Sequence, residues 1–151
     1  MRILIQRVSQ ALVQVDGNTV ASIGHGFLVL VGIGEHDAQS DADWLAEKLL
    51  GMRVFSDAEG KMNLNLEQCG GSLLLVSQFT LFAQTKKGNR PSFIEAARPE
   101  TAQPLFDYFI NCCRSLSPAM NIQTGVFGAM MDVALVNDGP VTIWMDSRQR
   151  S

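Results

Sequence analysis

Apolar and polar positions repeat with two periods along this chain, and each change of period marks an element. Residues 2–15 read as β: Ile3 and Ile5 alternate with Leu4 and Gln6, and Leu12, Val13 and Val15 resume after a break at Ser9-Gln10. Asp16-Gly17-Asn18 is a hairpin turn, and Thr19–Ile23 returns as a strand. After Gly24-His25-Gly26, the unbroken apolar run Phe27–Ile33 predicts a strand buried on both faces. Ala42, Leu45, Leu49 and Met52 then recur at helical spacing, with Ser40 and Asp43 in the relation of a capping box. Arg53–Phe55 and Met62–Leu66 read as short strands, the second half-buried at an edge. Leu73–Val76 is a second buried strand that runs straight into Ser77-Gln78-Phe79-Thr80. Pro91–Ala97 predicts a short helix. A longer helix starts near Thr101, with Pro104 in its first turn and Leu105, Phe106, Phe109, Ile110 and Cys113 on one face. The remainder is β: 120–123, 126–129, 131–136 and 141–145.

Between the last two segments lies Asn137-Asp138-Gly139-Pro140. Pro140 has no N–H, so it marks a turn or strand-end kink rather than the middle of a central strand. A Gly-Pro bond adopts the cis form at modest cost, which would make a rigid edge of two backbone carbonyls pointing the same way. Arg7, inside the first strand, reads on its own as a solvated strand charge.

The chain has 151 residues, the length of a single domain (1–151), and 46% of them are hydrophobic, enough for a real core. The pattern predicts an α/β fold with mixed β-sheets and two main helices. A net charge of −3 argues against binding nucleic acid through general positive charge. It leaves room for a local basic patch, and Lys86, Lys87 and Arg90 fall within five residues of each other. The three cysteines, Cys69, Cys112 and Cys113, have no C-x-x-C spacing, which predicts reduced thiols and a cytoplasmic setting. No apolar run is long enough to span a membrane.

The familiar catalytic sets are missing: there is no G-x-S-x-G, no H-E-x-x-H and no P-loop. His25 sits between glycines and reads as a surface turn residue. His36 between Glu35 and Asp37 is a poor ligand set, because three adjacent side chains do not converge easily on one ion. No metal or cofactor is expected. Cys112 and Cys113 read as packing residues. Ser77, Gln78 and Thr80 have two readings at a strand end, where α/β sheets often place ligand chemistry: simple polar satisfaction, or donors around an ester carbonyl.

Ser-Gln-Phe-Thr-Leu at 77–81 and Asn-Asp-Gly-Pro-Val at 137–141 resemble the two signature motifs of D-aminoacyl-tRNA deacylases. Gln6-Arg7-Val8, the stretch from Lys86 to Phe93 and the stretch from Thr124 to Met131 resemble that family too. The likeness runs from Met1 to about Trp144. It implies an esterase that removes wrongly attached D-amino acids from tRNA, working as a homodimer with its active sites at the subunit interface. Ser77, Gln78, Phe79 and Thr80 of one subunit would cradle the terminal adenosine and the aminoacyl carbonyl. Gly139-Pro140, as a Gly-cisPro pair of the other subunit, would reject L-amino acids, with Arg7 orienting the pair. Glycine has no side chain to reject, so glycine mischarged on alanine tRNA would also be hydrolysed.

The chemistry fits the missing base. An aminoacyl ester is already activated, backbone donors near Phe79 can hold the oxyanion, and the ribose 2′-hydroxyl can position water. Thr80 is the only tempting nucleophile. No histidine or lysine stands beside it in sequence, which favours a positioning role. Two rivals remain: a non-enzymatic, oligomeric small-molecule binder using the same cleft, and a metal hydrolase built on His36, Glu35 and Asp37.

Overall fold

The strand β1 (Arg2–Val15) is the spine of the fold in the computed structural model, which describes residues 1–150. On one side it pairs antiparallel with β2 (Asn18–Ile23) and β3 (Gly26–Gly32); on the other it pairs antiparallel with β8 (Asp132–Asp146). β3 continues, now parallel, to β6 (Ser72–Ser77), and β6 to β7 (Ile122–Thr124). The short strands β4 (Phe55–Ser56) and β5 (Met62–Leu64) form a separate ribbon. Both parallel steps need long crossovers, and the two helices lie in them: α1 (Gln39–Gly51) before β6 and α2 (Pro99–Leu116) before β7. The expected mixed sheet with two main helices is what forms.

Alternation splits the core. Phe27, Val29, Val31, Leu73 and Leu75 face the helices, where Leu45, Leu49, Phe106 and Phe109 cover them. Leu28, Leu74 and Val76 face the opposite way, into a second cluster with Val8, Val13, Ala21 and Ile23. β3 and β6 are therefore buried on both faces, as their continuous apolar runs require.

Several local expectations are corrected. The first helix starts at Gln39, and the Asp41 carboxylate accepts the Ala38 N–H at 2.8 Å. Asp43 does not cap; it accepts the Tyr108 hydroxyl at 2.8 Å and the Cys112 thiol at 3.3 Å, tying α1 to α2. The second helix starts two residues before Thr101, so Pro104 lies beyond its first turn. Residues 91–97 form turns and isolated bridges rather than a helix, because Ala97 N–H and Glu95 C=O bond to Ile33 and Glu35 across the chain. Residues 126–129 form a turn closed by Ala129 N–H to Val126 C=O, not a strand.

The largest correction concerns Pro140. Residues 132–136 and 141–145 belong to one strand, β8, with Pro140 inside it. β8 pairs only with β1, so it is an edge, and an edge strand tolerates proline. Gln6 pairs with Thr142 and Val8 with Asn137, which leaves Arg7 alone facing Asp138, Gly139, Pro140 and Val141. The surplus bulges outward. No cis peptide bond occurs among the described residues, so the Gly139–Pro140 bond is trans and the expected Gly-cisPro geometry is not present. Gly139 makes the bend instead, with φ at +112°, a region closed to most side chains.

The Met1 ammonium is buried between Asp37 Oδ1 at 2.6 Å and Ser147 Oγ at 2.8 Å. No helix is long and apolar enough to cross a membrane.

Candidate active site

β6 delivers Ser77 to the end of the sheet beside Val31 of β3. Gln78 N–H still bonds to Val31 C=O at 2.7 Å, and then the chain turns away into a 3-10 helix, Phe79–Phe82. Two glycines let this turn sit down on the sheet. A Cβ at Gly32 would lie 2.9 Å from Leu81 Cβ and 3.1 Å from Gln78 O; one at Gly34 would lie 2.7 Å from the Phe82 ring. Leu81 N–H bonds to Gln78 C=O at 3.3 Å and Ala83 N–H to Thr80 C=O at 3.1 Å. The Phe79 and Thr80 N–H groups, at the start of the turn, bond to no other described residue. Free donors are what the first turn of a helix leaves behind, and here two adjacent ones come together.

Beside them opens a cavity of about 590 Å³, lined by Ser77, Gln78, Phe79, Phe93, Phe127 and Met130 among others. Its walls are mostly apolar. Phe79 and Phe93 meet edge to face, with centroids 5.2 Å apart. Phe93 is brought there by a two-way backbone bridge between Gln84 and Ser92, with N–H to C=O distances of 2.8 and 3.0 Å. The same bridge closes the exposed loop that carries Lys86, Lys87 and Arg90. The cations therefore stand beyond the pocket rim.

The polar chemistry is sparse. Gln78 Nε2 donates to Thr80 Oγ1, which occupies a lone pair of the hydroxyl without removing its proton. No histidine lines the cavity. His25 packs edge-on against Phe55 at 4.9 Å, and His36 is exposed with its carbonyl accepting from Arg148. Among the described residues, no group of three His, Cys, Asp or Glu side chains is placed to hold a metal ion. Burial pushes the Cys113 thiol up to about 12 and raises Cys112, which also donates to Asp43, so neither is a ready nucleophile.

Arg7 and the Gly139-Pro140 bulge meet each other but not this cavity. Arg7 Nε donates to Asp138 C=O at 3.1 Å and lies 3.5 Å from the Asp138 carboxylate, and Nη1 donates to Val54 C=O. The solvated-charge reading of Arg7 fails: the side chain is 12% exposed. Register measures the separation. Arg7 aligns with Phe27 and Leu73, whereas Ser77 lies four residues further along β6, with β1 and β3 intervening. Strand spacings put the bulge about 20 Å from Ser77.

Phe127, Met130, Ala96 and Ala97 were not identified as site residues by sequence reasoning. The available signal for Phe127 and Met130 was the family likeness of the stretch from Thr124 to Met131; the structure adds that Met130 is 92% exposed.

Two backbone N–H groups left unbonded among the described residues thus lie next to an apolar cavity that Ser77, Gln78 and Phe79 line, and no histidine lines it. Similarity to known proteins gives the chain a family. The pattern of D-Tyr-tRNA(Tyr) deacylases matches residues 4–146, and the chain belongs to that family. It is 58% identical to a D-aminoacyl-tRNA deacylase of Thermomicrobium roseum, over 99% of this chain and 96% of that one. It is 56% identical to one of Escherichia coli, over 94% and 97%. Among solved structures, a c-Myc DNA unwinding element binding protein superposes with a TM-score of 0.91 at 38% identity, covering 97% of this chain and 98% of that one. A probable eukaryotic D-amino acid tRNA deacylase shares the fold, with a TM-score of 0.80 at 18% identity over 95% and 97% of the two chains.

Proposed function

We propose that this chain hydrolyses the ester between a D-amino acid and the terminal adenosine of tRNA, releasing both. The observation that carries the reading is the pair of free amides at Phe79 and Thr80 beside the cavity. The aminoacyl carbonyl sits against these amides, which hold the negative charge of the tetrahedral intermediate. The ester is activated enough to need no nucleophilic side chain. The ribose 2′-hydroxyl next to the ester orients the attacking water, and Ser77, Gln78 and Thr80 position the adenosine and the carbonyl. The test is release of D-tyrosine from D-Tyr-tRNA, run beside L-Tyr-tRNA and with EDTA. Rapid D-selective release, unchanged by EDTA, is expected. Binding of the tRNA end without hydrolysis would make the chain a binder, and loss with EDTA restored by zinc would make it a metal hydrolase.

The site is completed by a second copy of the chain. One chain holds its two motifs about 20 Å apart by strand spacing, and the exposed Gly139-Pro140 bulge is free to enter a partner's cavity. A symmetric dimer gives each cavity one such bulge. With the Gly139–Pro140 bond trans, the wall is the bulge itself, whose Asp138 C=O is held by Arg7. That wall blocks an L side chain and leaves the D side chain free. Glycine passes it, which makes glycine mischarged on alanine tRNA a second substrate.

Thr80→Ala removes a hydroxyl that accepts from Gln78 but leaves the Thr80 N–H in place. Single-turnover hydrolysis is expected to slow by no more than about tenfold, the scale of a lost positioning hydrogen bond. Complete loss in a folded, tRNA-binding variant would assign Thr80 the nucleophile role. Lys86, Lys87 and Arg90 serve as phosphate contacts. Their joint replacement by alanine is expected to raise KM, leave kcat alone and flatten the dependence of log KM on log salt by roughly one unit for each cation removed from a phosphate. An unchanged slope would make the loop a plain solvated turn.

A further inference from the structure

We propose that Arg2 is a positioning residue for the Phe79 and Thr80 amides. It reaches across from β1 to the far end of the 3-10 turn. Nη1 donates to Leu81 C=O at 3.0 Å, and the guanidinium carbon stacks 4.3 Å from the Phe82 ring centroid. Nε donates to Asp146 Oδ2 at 3.0 Å, which fixes the fork from behind, and the Trp144 ring lies 5.8 Å from the guanidinium. Asp146 is itself held, since its other oxygen accepts the Arg148 N–H at 3.0 Å.

The turn is a single unit of 3-10 helix, and its hydrogen bonds couple Leu81 to Gln78 and Ala83 to Thr80. A shift at Leu81 therefore travels to the amides at the front of the turn. Beneath, Gly32 and Gly34 set how closely the turn approaches the sheet. Arg2 sets where its rear carbonyl lies, and places a positive charge at the C-terminal end of the turn, where a cation is favoured. It touches no surface of the cavity, so it acts only through the turn. The inference rests on the reading of the Phe79 and Thr80 amides as the oxyanion donors.

The test uses the full-length Arg2→Met and Arg2→Lys proteins. Methionine keeps apolar contact with Phe82 and loses both donors; lysine keeps one charge-assisted donor. For Arg2→Met, kcat on D-Tyr-tRNA is expected to fall about tenfold to a hundredfold, the cost of misplacing catalytic groups by up to ~1 Å. KM should stay within about twofold, and Arg2→Lys should recover part of the kcat. Amide hydrogen exchange over residues 78–83 should quicken in Arg2→Met while the rest of the sheet keeps its protection. Unchanged exchange over 78–83 would overturn the positioning role. Quickened exchange with wild-type kcat would overturn instead the oxyanion reading beneath it. If Arg2→Met fails to fold, Arg2→Lys decides by the same two readouts.

Discussion

Gly139→Ala is expected to lower the ratio of D- to L-aminoacyl-tRNA hydrolysis by about tenfold or more, the value of one well-placed steric exclusion. Gly139 sits at φ +112°, so any side chain there is strained. Its Cβ would also overlap Arg7 Nη2 and come within 3.1 Å of Arg7 Cζ. Arg7 cannot simply swing aside, because its other nitrogens are spent on Asp138 C=O and Val54 C=O. The bulge must move, and the wall proposed against L substrates would move with it. Hydrolysis of D substrates, assigned in the proposal to the other motif, is expected to change less. Single-turnover rates on D-Tyr-tRNA and L-Tyr-tRNA check this; an unchanged ratio would detach the bulge from substrate selection.

Gly32→Ala is expected to reduce kcat about a hundredfold, since it lifts the 3-10 turn off its seat. The new Cβ would press on Leu81 Cβ at 2.9 Å and on the Gln78 carbonyl at 3.1 Å, too close to stand unrelieved. Leu81 and the Gln78 backbone give way, and the Phe79 and Thr80 amides lose their aim. Gly51→Ala is the control: at the end of α1 nothing lies within 4 Å of its Cβ, and the change is expected to leave kcat intact. Steady-state kinetics of the two variants under one set of conditions separate them.

The elements with strong periodicity were legible in the sequence. β3 and β6 were readable because burial on both faces demands unbroken apolar runs, and α2 because Leu105, Phe106, Phe109 and Ile110 mark one face. Elements set by long-range contacts were not. Asp43 looks like a capping residue until α2 brings Tyr108 to it. Residues 91–97 have helix-compatible composition, but bonds to Ile33 and Glu35 hold them extended and turned. Pro140 reads as a stop, and only the position of β8 at a sheet edge explains how one strand continues through it. The candidate site segment Ser77–Thr80 was visible as polar residues abutting a buried strand. Arg2 gave no local signal, since an arginine in an edge-like alternating strand has the pattern of any solvated charge, and its partners Leu81 and Asp146 are far away in sequence.

Whether backbone amides of the turn at Phe79–Thr80 receive the aminoacyl carbonyl is tested most directly by a crystal structure with a D-aminoacyl-adenosine analogue whose ester is replaced by an amide. The carbonyl oxygen is expected about 3 Å from the Phe79 and Thr80 nitrogens, with Gly139-Pro140 of a second copy across the cavity from it. A carbonyl oxygen facing away from both amides, in a cavity holding the analogue, would contradict that role.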